Sequence, residues 1–590
     1  MKTVSFVGLG VVGLVTQACF ANRGINTIGV DSSEHKLEIL RSGNLPFYEP
    51  NLKDLIIGDA CSNLTFSDSM TYAVENSNIT FVTVGTPSKA DGSIDLLQIS
   101  EASKAIGVAL SNKSRYHVVV IKSTVLPGTT DNVIKAIVEK ESRKNAVEDF
   151  GLIVNPEFLR EGSSVHDTFN PHLLVLGAAD HRSGQEIETL WKEFFNNHFP
   201  KTIRTNRITA ELIKYANNAF LATKISFINS IANLCQRMDS ADVKEVAQAI
   251  GTDPRIGPLF LNAGAGYGGS CLPKDVKALI KMSRSVSCNL PLLRAVDEVN
   301  ENQPKQVIEL ARNMLGGFEG KTVAILGVAF KKDTDDIREA PSVKVIRQLI
   351  EHQALVRATD PLALENLKKI FDDKITYTKN KFDCLSNADC CLILTEWDEY
   401  KNMKAEDFIR YMKKPCIVDA RRIFDSQDFV NTTNYFAIGV KTRGYEETIP
   451  YRKKEQTSEI DLEGLLKDIM QEGVLVAENE RYTIHDLKVD ELTVSLTELK
   501  KTQETRGHSH ADCSEVYFFT QGEGKMQVGN RTYHVGQGSV IIVPRSEFHK
   551  VINLGEEKLI FVAVFEGKRF SKNYSYQNKD SPESRVAEAQ

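Results

Sequence analysis

Short apolar runs alternate with helix-patterned sequence through roughly the first two hundred residues. The runs span only a few positions and end in glycine or a polar residue: Val4–Leu9, Thr27–Val30, Thr80–Val84, His117–Ile121, Leu152–Val154 and Leu173–Leu176. Strands that alternate with helices are typical of a parallel sheet covered on both faces. We predict a doubly wound α/β domain over residues 1–198.

The period of the apolar positions changes after this region. Apolar residues recur at spacings of three and four, at Leu212, Ala216, Ala219, Phe220, Phe227, Ile231 and Leu234. This spacing predicts one long helix over about 205–238, followed by more helical sequence to about Ala311. We therefore predict a central helical domain over residues 199–310. A helix of this kind is a candidate dimer surface, although packing in the core would explain part of the pattern.

Strand-like runs return at Thr322–Leu326, Ala354–Ala358, Cys390–Leu394 and Cys416–Asp419, with a helix at Ser342–Glu351. They predict a second α/β domain over residues 311–441, in which Cys390 and Cys391 pack inside a strand. Residues 442–459 are polar and predict a linker. Residues 460–570 contain short alternating strands punctuated by glycine, which predicts a small all-β barrel or sandwich, and residues 571–590 form a polar tail.

Composition and charge exclude several classes of protein. The 590 residues are too many for one core and suggest roughly three to five domains. A net charge of −6 gives no reason to expect nucleic acid or an anionic membrane as a partner. No apolar run approaches the ~20 residues of a membrane span. The ten cysteines show neither metal nor disulfide spacing, and no leader precedes the first strand, so we expect a cytoplasmic protein with free thiols.

A glycine-rich turn follows the first strand. Gly8, Gly10 and Gly13 form GxGxxG between a strand and a helix, and Asp31 ends the next strand. Glycines here allow a tight turn and let a pyrophosphate approach the helix N-terminus, while the acidic residue binds ribose hydroxyls. This context predicts a Rossmann-like site for NAD rather than NADP. Thr86 and Thr124 follow later strands of the sheet and are candidate cofactor contacts, although either could be an ordinary loop residue.

A lone cysteine follows a second glycine-rich stretch, Gly266–Ser270, and precedes Pro273. Proline suits the first turn of a helix, so Cys271 is predicted at a helix N-terminus, where the backbone dipole favours a thiolate. Asp275 lies one turn further on and faces the same side. A polarised thiol beside a carboxylate indicates covalent catalysis on a carbonyl, while the alternative is an inert buried cysteine.

Two more segments carry candidate chemistry. Glu157 and Glu161 lie four residues apart beside Arg160, as a general base and its partner would, and as a solvated helix start would also do. On the long helix, Lys214 shares a face with Glu211 and Asn218. Lysine and asparagine one turn apart can donate hydrogen bonds to an oxyanion, but a surface Glu–Lys pair would show the same spacing.

Together these motifs resemble the nucleotide-sugar 6-dehydrogenase family, most closely its UDP-glucose branch. The resemblance covers about residues 1–440 and rests on segments that occur in a characteristic order: GLGVVG, VGTP, KSTVLPGT, NPEFLREG, ELIKYANN, GAGYGGSCLPKD and GVAFKKDTDDIREAPS. It implies two Rossmann-like domains joined by a long helix, the second of which binds UDP. It also implies oxidation of a C6 alcohol to a carboxylate with two NAD per turnover, and a homodimer or higher homo-oligomer.

The resemblance also implies roles for individual residues. It implies catalytic roles for Cys271, Lys214, Asn218, Asp275, Thr124 and Glu157. It implies cofactor contacts from Gly8, Gly10, Val11, Val12, Gly13, Asp31, Lys36, Thr86, Thr124, Glu161, Lys274 and Arg338. It implies substrate contacts from Phe158, Leu159, Glu161, Lys214, Asn218, Arg255, Tyr267, Gly268, Phe330, Lys331 and Arg421, with Arg422 as an alternative to Arg421.

In this scheme Cys271 attacks a C6 aldehyde, and a second hydride transfer gives a thioester that water hydrolyses. Lys214 and Asn218 stabilise the oxyanion. Arg255 resembles an arginine that a neighbouring subunit contributes. Three alternatives stay open: a UDP-N-acetylhexosamine dehydrogenase, a GDP-mannose dehydrogenase, and a non-catalytic sugar-nucleotide sensor.

The C-terminal segment looks like a cupin domain. His508 and His510 alternate on a strand and so face the same way, and Glu515 and His549 complete a set of three histidines and one carboxylate. Such a set suits a divalent transition metal, although histidines that bond one another would also fit. This domain could bind a sugar or nucleotide and regulate the dehydrogenase, could act on its product, or could serve assembly.

Overall fold

The computed structural model describes residues 2–89, 91–196, 198–441, 469, 473–489, 492–510, 513–566 and 574–575. The chain divides into two compact units, Met1–Ile449 and Pro450–Gln590. The predicted linker 442–459 lies outside the described residues, as does the predicted tail 571–590 apart from residues 574–575. None of the described helices is both long enough and apolar enough to cross a membrane.

An eight-stranded sheet begins the first unit. Its strands are β1 Val4–Val7, β2 Thr27–Val30, β3 Leu64–Ser67, β4 Ile79–Val82, β5 His117–Ile121, β6 Phe150–Val154, β7 Leu174–Ala178 and β8 Thr202–Thr205. They lie in the order β3-β2-β1-β4-β5-β6-β7-β8, and β6 and β7 form the antiparallel pair. The order reverses between β1 and β4, where open α/β sheets bind their ligands at the carboxyl ends of the strands.

Helices cover both faces of this sheet. They are α1 Val11–Asn22, α2 Glu34–Arg41, α3 Leu52–Ile57, α4 Met70–Glu75, α5 Leu97–Ser111, α6 Lys135–Ser142, α7 Ser164–Phe169 and α8 His181–Phe194, with a 3₁₀ turn at Asp59–Asn63 and a π turn at Thr130–Ile134. Successive β5 residues point to opposite faces: Val118 and Val120 join one apolar cluster, and Val119 and Ile121 join the other. The doubly wound prediction is therefore confirmed.

Four helices follow: α9 Arg207–Cys235, α10 Val243–Gly251, α11 Leu272–Ser285 and α12 Pro291–Leu315. The 29 residues of α9 confirm the predicted long helix, which is about 44 Å long at 1.5 Å per residue. The apolar residues of α9 divide into a buried group and an exposed group. Ala222, Ile228 and Ala232 are fully buried, whereas Phe220 and Phe227 are 66% and 51% exposed.

A second, parallel sheet follows α12. Its strands are β9 Thr322–Leu326, β10 Leu355–Thr359, β11 Thr376–Tyr377, β12 Cys390–Ile393, β13 Cys416–Asp419 and β14 Asn434–Ala437, in the order β11-β10-β9-β12-β13-β14. Its helices are α13 Pro341–Glu351, α14 Leu364–Phe371, α15 Lys381–Leu385, α16 Asp398–Lys401, α17 Ala405–Tyr411 and α18 Ser426–Val430, with a 3₁₀ turn at Asp372–Lys374. Cys390 and Cys391 are fully buried, as predicted.

The second unit is antiparallel β structure. Its strands are β15 Val474–Glu478, β16 Tyr482–Val489, β17 Leu492–Leu499, β18 Ser509–His510, β19 Glu515–Gln521, β20 Glu523–Val528, β21 Arg531–Gly536, β22 Val540–Val543, β23 His549–Asn553, β24 Leu559–Glu566 and β25 Tyr574–Ser575. A six-stranded sheet, β15-β16-β17-β24-β19-β22, and a three-stranded sheet, β21-β20-β23, share one apolar core that includes Phe519, Met526 and Phe561. The all-β prediction is confirmed.

Candidate active site

The predicted dinucleotide turn lies at the carboxyl end of β1, beside the point where the strand order reverses. Gly8 has a φ of +95°, which few side chains tolerate, and a Cβ on Gly13 would lie 2.0 Å from the Gly8 carbonyl oxygen. A Cβ on Gly10 would meet no atom within 4 Å. Gly10 caps α1, and no side-chain oxygen accepts from the first amides of that helix. Two glycines are thus required by packing, while Gly10 leaves space at a helix N-terminus.

Asp31 stands at the end of β2, facing this turn. Its carboxylate accepts hydrogen bonds from Leu9 N at 2.8 Å and Ser33 N at 3.0 Å, and it pairs with Lys36 Nζ at 2.6 Å. Burial alone would raise the pKa of Asp31, but these hydrogen bonds and the Lys36 charge lower it. The carboxylate is therefore held charged beside the glycine turn.

Two further loops meet at this edge of the sheet. Thr86 Oγ1 donates to the Thr124 carbonyl oxygen at 2.8 Å, which joins the loops after β4 and β5. Next to them lies an open cleft of about 780 Å³. Its lining includes Pro87, Ser270, Lys274 and Arg338. The cleft therefore connects the cofactor edge of the first sheet with the segment that carries the cysteine.

Cys271 is the N-cap residue of α11, with Pro273 in the first turn, as the sequence predicted. The thiol is half-buried. The expectation of a thiolate is wrong for these surroundings, because burial, Glu157 and Asp275 raise the pKa of the thiol. Lys214 and a hydrogen bond with Ser270 lower it, but the net direction is upward. The thiol is therefore neutral near neutral pH and needs a base to become a nucleophile.

Lys214 and Asn218 project from α9 towards this thiol. Lys214 Nζ pairs with Glu157 Oε1 at 2.9 Å, and the two side chains are 5% and 7% exposed. Asn218 Nδ2 donates to Asp275 Oδ2 at 2.7 Å. Burial would raise the pKa of Glu157, but Lys214 lowers it. The structure thus brings together four of the six predicted catalytic side chains around Cys271 in two hydrogen-bonded pairs.

Glu211 has a role that the sequence did not indicate. The predicted alternative, a surface Glu–Lys pair with Lys214, is wrong, since both side chains are buried. Glu211 Oε2 accepts from Gly128 N at 2.6 Å and Oε1 accepts from Thr130 N at 3.0 Å. It fixes the loop after β5, which carries Thr124.

Glu157 and Glu161 are not partners of each other. Glu157 Oε2 accepts from Leu159 N at 2.6 Å, and Arg160 pairs with Asp167 at 2.7 Å. Glu161 instead accepts from Ser270 Oγ at 3.2 Å and from Arg338 at 3.3 Å. The interpretation of the two carboxylates as one acid–base pair is therefore wrong.

Glu161 has an unusual environment for a carboxyl group. Burial and the neighbouring Asp336 carboxylate, which also shares a hydrogen bond with it, raise the pKa of Glu161 to about 7. Arg338 and the Ser270 hydroxyl oppose this shift. Lys331 Nζ donates to the backbone carbonyl of Glu161. A carboxyl with a pKa near neutrality can take up and release a proton during turnover.

The glycines before Cys271 pack against the second sheet's domain. A Cβ on Gly268 would lie 2.6 Å from the Glu339 carbonyl oxygen, and one on Gly269, whose φ is +84°, would lie 2.9 Å from the Phe330 ring. Tyr267 is buried, and its backbone exchanges hydrogen bonds with the Asn300 side chain at 2.7 and 3.1 Å. Close packing within the chain therefore explains these glycines without any ligand.

The other predicted substrate residues are dispersed around the site. Lys214 Nζ lies 5.3 Å from the centroid of the Phe158 ring. Arg421 donates to the Leu394 and Phe330 carbonyls at 2.7 and 3.0 Å. Arg422 forms an ion pair at 2.7 Å with Asp242, the N-cap residue of α10. Arg255 is 87% exposed and pairs with Asp253.

Four residues near the site were missed by the sequence analysis. Ser270 links the cysteine to Glu161, and Asp336 helps burial to raise the pKa of Glu161. Burial lowers the pKa of Lys122 to about 8, and the nearby Lys214 adds to this shift while Glu157 opposes it. Glu49 accepts from Gly162 N and Ser164 N and so holds the loop that carries Glu161. The available signal for Lys122 was its position directly after the apolar strand β5, whereas Glu49 lies between α2 and α3 and had no local signal.

In the second unit the four predicted ligands converge. His508, His510, Glu515 and His549 have ligand atoms within 4.8 Å of one another. Glu515 lies 2.7 Å from His510 Nε2, 2.9 Å from His549 Nε2 and 3.9 Å from His508 Nε2. Burial would raise the pKa of Glu515, but the two nearer histidines lower it.

The backbone orients the ring of one ligand. His549 Nδ1 donates to the Glu547 carbonyl at 3.0 Å, so Nε2 is the nitrogen that faces Glu515. Tyr517 donates to Glu515 Oε2 at 2.7 Å. Imidazole nitrogens and a carboxylate held by such outer contacts fit a divalent transition metal.

A glycine turn on a doubly wound sheet and an acidic residue at the end of the next strand are the features of an NAD-dependent oxidoreductase. Family models identify it more narrowly. Residues 2–195, 208–302 and 324–426 match the NAD binding, central and UDP binding domains of the UDP-glucose/GDP-mannose dehydrogenase family. The chain belongs to this family, and it is an NAD-dependent oxidoreductase of nucleotide sugars. Residues 495–565 match the cupin domain.

Relatives support the assignment. The chain is 41% identical over 429 residues to the UDP-glucose 6-dehydrogenase TuaD of Bacillus subtilis, covering 72% of this chain and 91% of that one. It is 39% identical over 424 residues to the UDP-glucose 6-dehydrogenase AglM of Haloferax volcanii, covering 71% and 96%. The structure of a UDP-glucose dehydrogenase from Pyrobaculum islandicum matches with a TM-score of 0.69 at 36% identity, covering 75% and 98%.

Proposed function

We propose that this protein oxidises the C6 hydroxyl of UDP-glucose to the carboxylate of UDP-glucuronate through a covalent intermediate on Cys271. The observation that carries the proposal is the arrangement of Lys214, Asn218 and Asp275 around a cysteine at a helix N-terminus. The similarity to UDP-glucose 6-dehydrogenases supports the choice of substrate.

The chemistry explains why a thiol is needed. Conversion of an alcohol to an acid removes four electrons, and NAD, when bound, accepts one hydride in each of two steps. The aldehyde must be held between these steps. Addition of the Cys271 sulfur to C6 gives a thiohemiacetal that keeps a hydrogen on C6, and loss of that hydrogen as hydride leaves a thioester for hydrolysis.

The neighbouring side chains stabilise charge and place water. Lys214 Nζ and Asn218 Nδ2 donate to the oxygen that becomes negative when sulfur adds to the aldehyde. Glu157, Asp275 and Thr124 position the water that cleaves the thioester. Thr124 belongs to the loop fixed by Glu211, and Glu157 is kept ionised by Lys214. Removal of one oxyanion donor typically costs about 10²–10³ in kcat.

For the cofactor, Gly8, Gly10 and Gly13 would hold the pyrophosphate at the start of α1, with Asp31 on the adenosine ribose. Lys274 and Arg338 would approach it from the other side of the cleft. For the substrate, Phe158, Leu159, Tyr267 and Gly268 would line the sugar pocket, and Phe330, Lys331 and Arg421 would hold the UDP portion.

A UDP-N-acetylhexosamine or GDP-mannose dehydrogenase remains the alternative within the same reaction type. A non-catalytic sensor is disfavoured because the set of catalytic side chains is complete. A panel of UDP- and GDP-sugars assayed for NADH distinguishes these possibilities. We expect about two NADH per UDP-glucose, by the stoichiometry of this oxidation. Absence of NADH with every sugar nucleotide would refute the enzymatic proposal.

The covalent step has its own test. Cys271→Ser should lose the second oxidation and the carboxylate product, while binding of NAD persists. Cys288→Ser is a matched control, since Cys288 is an exposed free cysteine at the opposite end of α11 from Cys271. A Cys271→Ser enzyme that makes the acid at the wild-type rate would remove the thioester from the mechanism.

For the cupin unit, the proposal is a divalent transition metal held by His508, His510, Glu515 and His549 in a site for a sugar-related ligand. Elemental analysis of protein purified without chelator should find about one metal per chain, as expected for a four-ligand site. A His508→Ala, His510→Ala double variant should lose it, whereas His534→Ala, at an exposed position on β21 of the same unit, should keep it. Metal-free wild-type protein would favour a purely structural role for the histidines.

The exposed side of α9 supports a homodimer. Phe220, Phe227 and Leu234 repeat every seven residues and are 66%, 51% and 53% exposed, a spacing that forms one apolar seam along a helix. Assembly through this seam would explain why such large side chains face outward, and Arg255 would then reach a partner's site from its exposed position beside Asp253.

A further inference from the structure

The Cys271 thiol needs a base, because its surroundings keep it protonated. Three carboxylates lie near it. Glu157 and Asp275 are both engaged: Glu157 accepts from Lys214 and Leu159, and Asp275 accepts from Asn218 at 2.7 Å and from Lys274 at 2.6 Å. Neither has a hydrogen bond to the sulfur. The third carboxylate, Glu161, is connected to the sulfur through one intervening hydroxyl.

That hydroxyl belongs to Ser270. Its oxygen lies 3.4 Å from Cys271 Sγ and 3.2 Å from Glu161 Oε1. When Glu161 is ionised its oxygens can only accept, so in that state the single hydroxyl hydrogen of Ser270 points to Glu161. The contact between sulfur and hydroxyl must then use the thiol hydrogen. The hydrogen bonds therefore run in one direction, from the thiol through Ser270 to Glu161.

We infer that Ser270 and Glu161 form the proton relay that activates Cys271. When sulfur bonds to C6, the C6–O double bond becomes a single bond and its electron pair moves to oxygen. The thiol proton passes to Ser270 Oγ while the Ser270 proton passes to Glu161. No electron is gained or lost in this step. The inference rests on the proposed covalent role of Cys271.

The surroundings of Glu161 suit the end of such a relay. Burial and the nearby Asp336 carboxylate both disfavour the charged form of Glu161, which favours uptake of the arriving proton. Arg338 lies at 3.3 Å and Lys331 binds the Glu161 backbone carbonyl, and both cations compensate the negative charge before the proton arrives. The pKa of Glu161, raised to about 7 by burial and Asp336, lets it accept a proton above that pH and not below it.

The test measures thiol reactivity and needs neither sugar nor NAD. Alkylation of Cys271 by iodoacetamide is followed by peptide mass spectrometry, which separates it from the other cysteines. In the wild type, the rate should rise as pH passes through about 7, where Glu161 loses its proton. Ser270→Ala should remove that rise and lower the rate above it by about 100-fold, the lower end of what a positioned base contributes. Ser270→Thr keeps a hydroxyl and should restore both.

Glu161→Gln should abolish the same rise while leaving Ser270 in place. If Glu161→Gln lowered the rate by the same factor at every pH and kept the inflection, its effect would be structural only. That result would overturn the relay. So would a Ser270→Ala variant with a wild-type pH profile. If the wild type makes no NADH from any sugar nucleotide, the proposed function fails, whereas the alkylation profile still decides the relay.

Discussion

The three glycines of the cofactor turn make a sharp experimental contrast. Gly13→Ala places a methyl group 2.0 Å from the Gly8 carbonyl oxygen and 2.6 Å from Thr83 Oγ1. Thr83 Oγ1 interacts with the carbonyls of Val7 and Gly8 at 2.9 and 2.8 Å, so it cannot move without cost. Overpacking costs about 1–3 kcal/mol, and a lost hydrogen bond adds roughly 0.5–1.5 kcal/mol. We expect Gly13→Ala to lose about 2–4 kcal/mol in total.

Gly10→Ala is the matched control. Its new methyl group meets no atom within 4 Å, and its φ of −78° is compatible with alanine. Stability should change by less than about 0.5 kcal/mol, as at ordinary surface positions. The methyl group would instead occupy the space that a pyrophosphate needs. Loss of one charge-assisted hydrogen bond, about 1.5–3 kcal/mol, would weaken NAD binding roughly 10- to 150-fold.

Two measurements separate the effects. Thermal unfolding without NAD should lower the midpoint of the first transition in Gly13→Ala and leave it unchanged in Gly10→Ala. Steady-state titration with NAD should raise KM in Gly10→Ala with little change in kcat, which is the pattern of lost uniform binding. The reasoning would be refuted if Gly10→Ala unfolded earlier than Gly13→Ala, or if its KM for NAD equalled that of the wild type.

Other predictions concern charge and assembly. Lys214→Met should destabilise the protein by about 3–5 kcal/mol, since it leaves Glu157 charged and buried; denaturant unfolding measures this, and an unchanged midpoint would contradict the buried pair. Although burial raises the pKa of Glu157, Lys214 lowers it below its usual 4.5, so the wild type should lose this pair's stabilisation as pH falls below about 4.5. Glu157→Gln should lack that part of the acid dependence in pH-dependent melts. If the proposed homodimer forms, Phe220→Glu should dissociate it in light scattering, whereas Val108→Glu, at a 52% exposed position on α5, should not; dimers of Phe220→Glu would exclude the α9 seam.

Local sequence was sufficient for the features that depend on neighbouring residues. The turn from Gly8 to Gly13 and the helical relation of Cys271 to Asp275 need only strand–helix geometry, and both are present. The strands missed by the pattern are short and mixed in polarity, such as β3 Leu64–Ser67 and β8 Thr202–Thr205. Their few apolar positions are too sparse to show a period.

Contacts between residues far apart in the sequence could not be predicted from local patterns. Asn218 and Asp275 are 57 positions apart, and Ser270 and Glu161 are 109 apart. The helical spacing suggested an ion pair between Lys214 and Glu211, but in the fold Lys214 pairs with Glu157. The pKa of Cys271 also depends on what buries it, which explains why the helix dipole alone gave the wrong direction.

The close packing of Gly268 and Gly269 against Glu339 and Phe330 has a consequence for truncated forms of this enzyme. The loop that carries Cys271 packs against the domain that begins with β9. A fragment that ends before β9 Thr322–Leu326 would retain the cofactor turn, α9 and the thiol, yet would lack the surface that positions the thiol. We therefore expect that neither part of the dehydrogenase is active without the other and that a shortened protein must keep both.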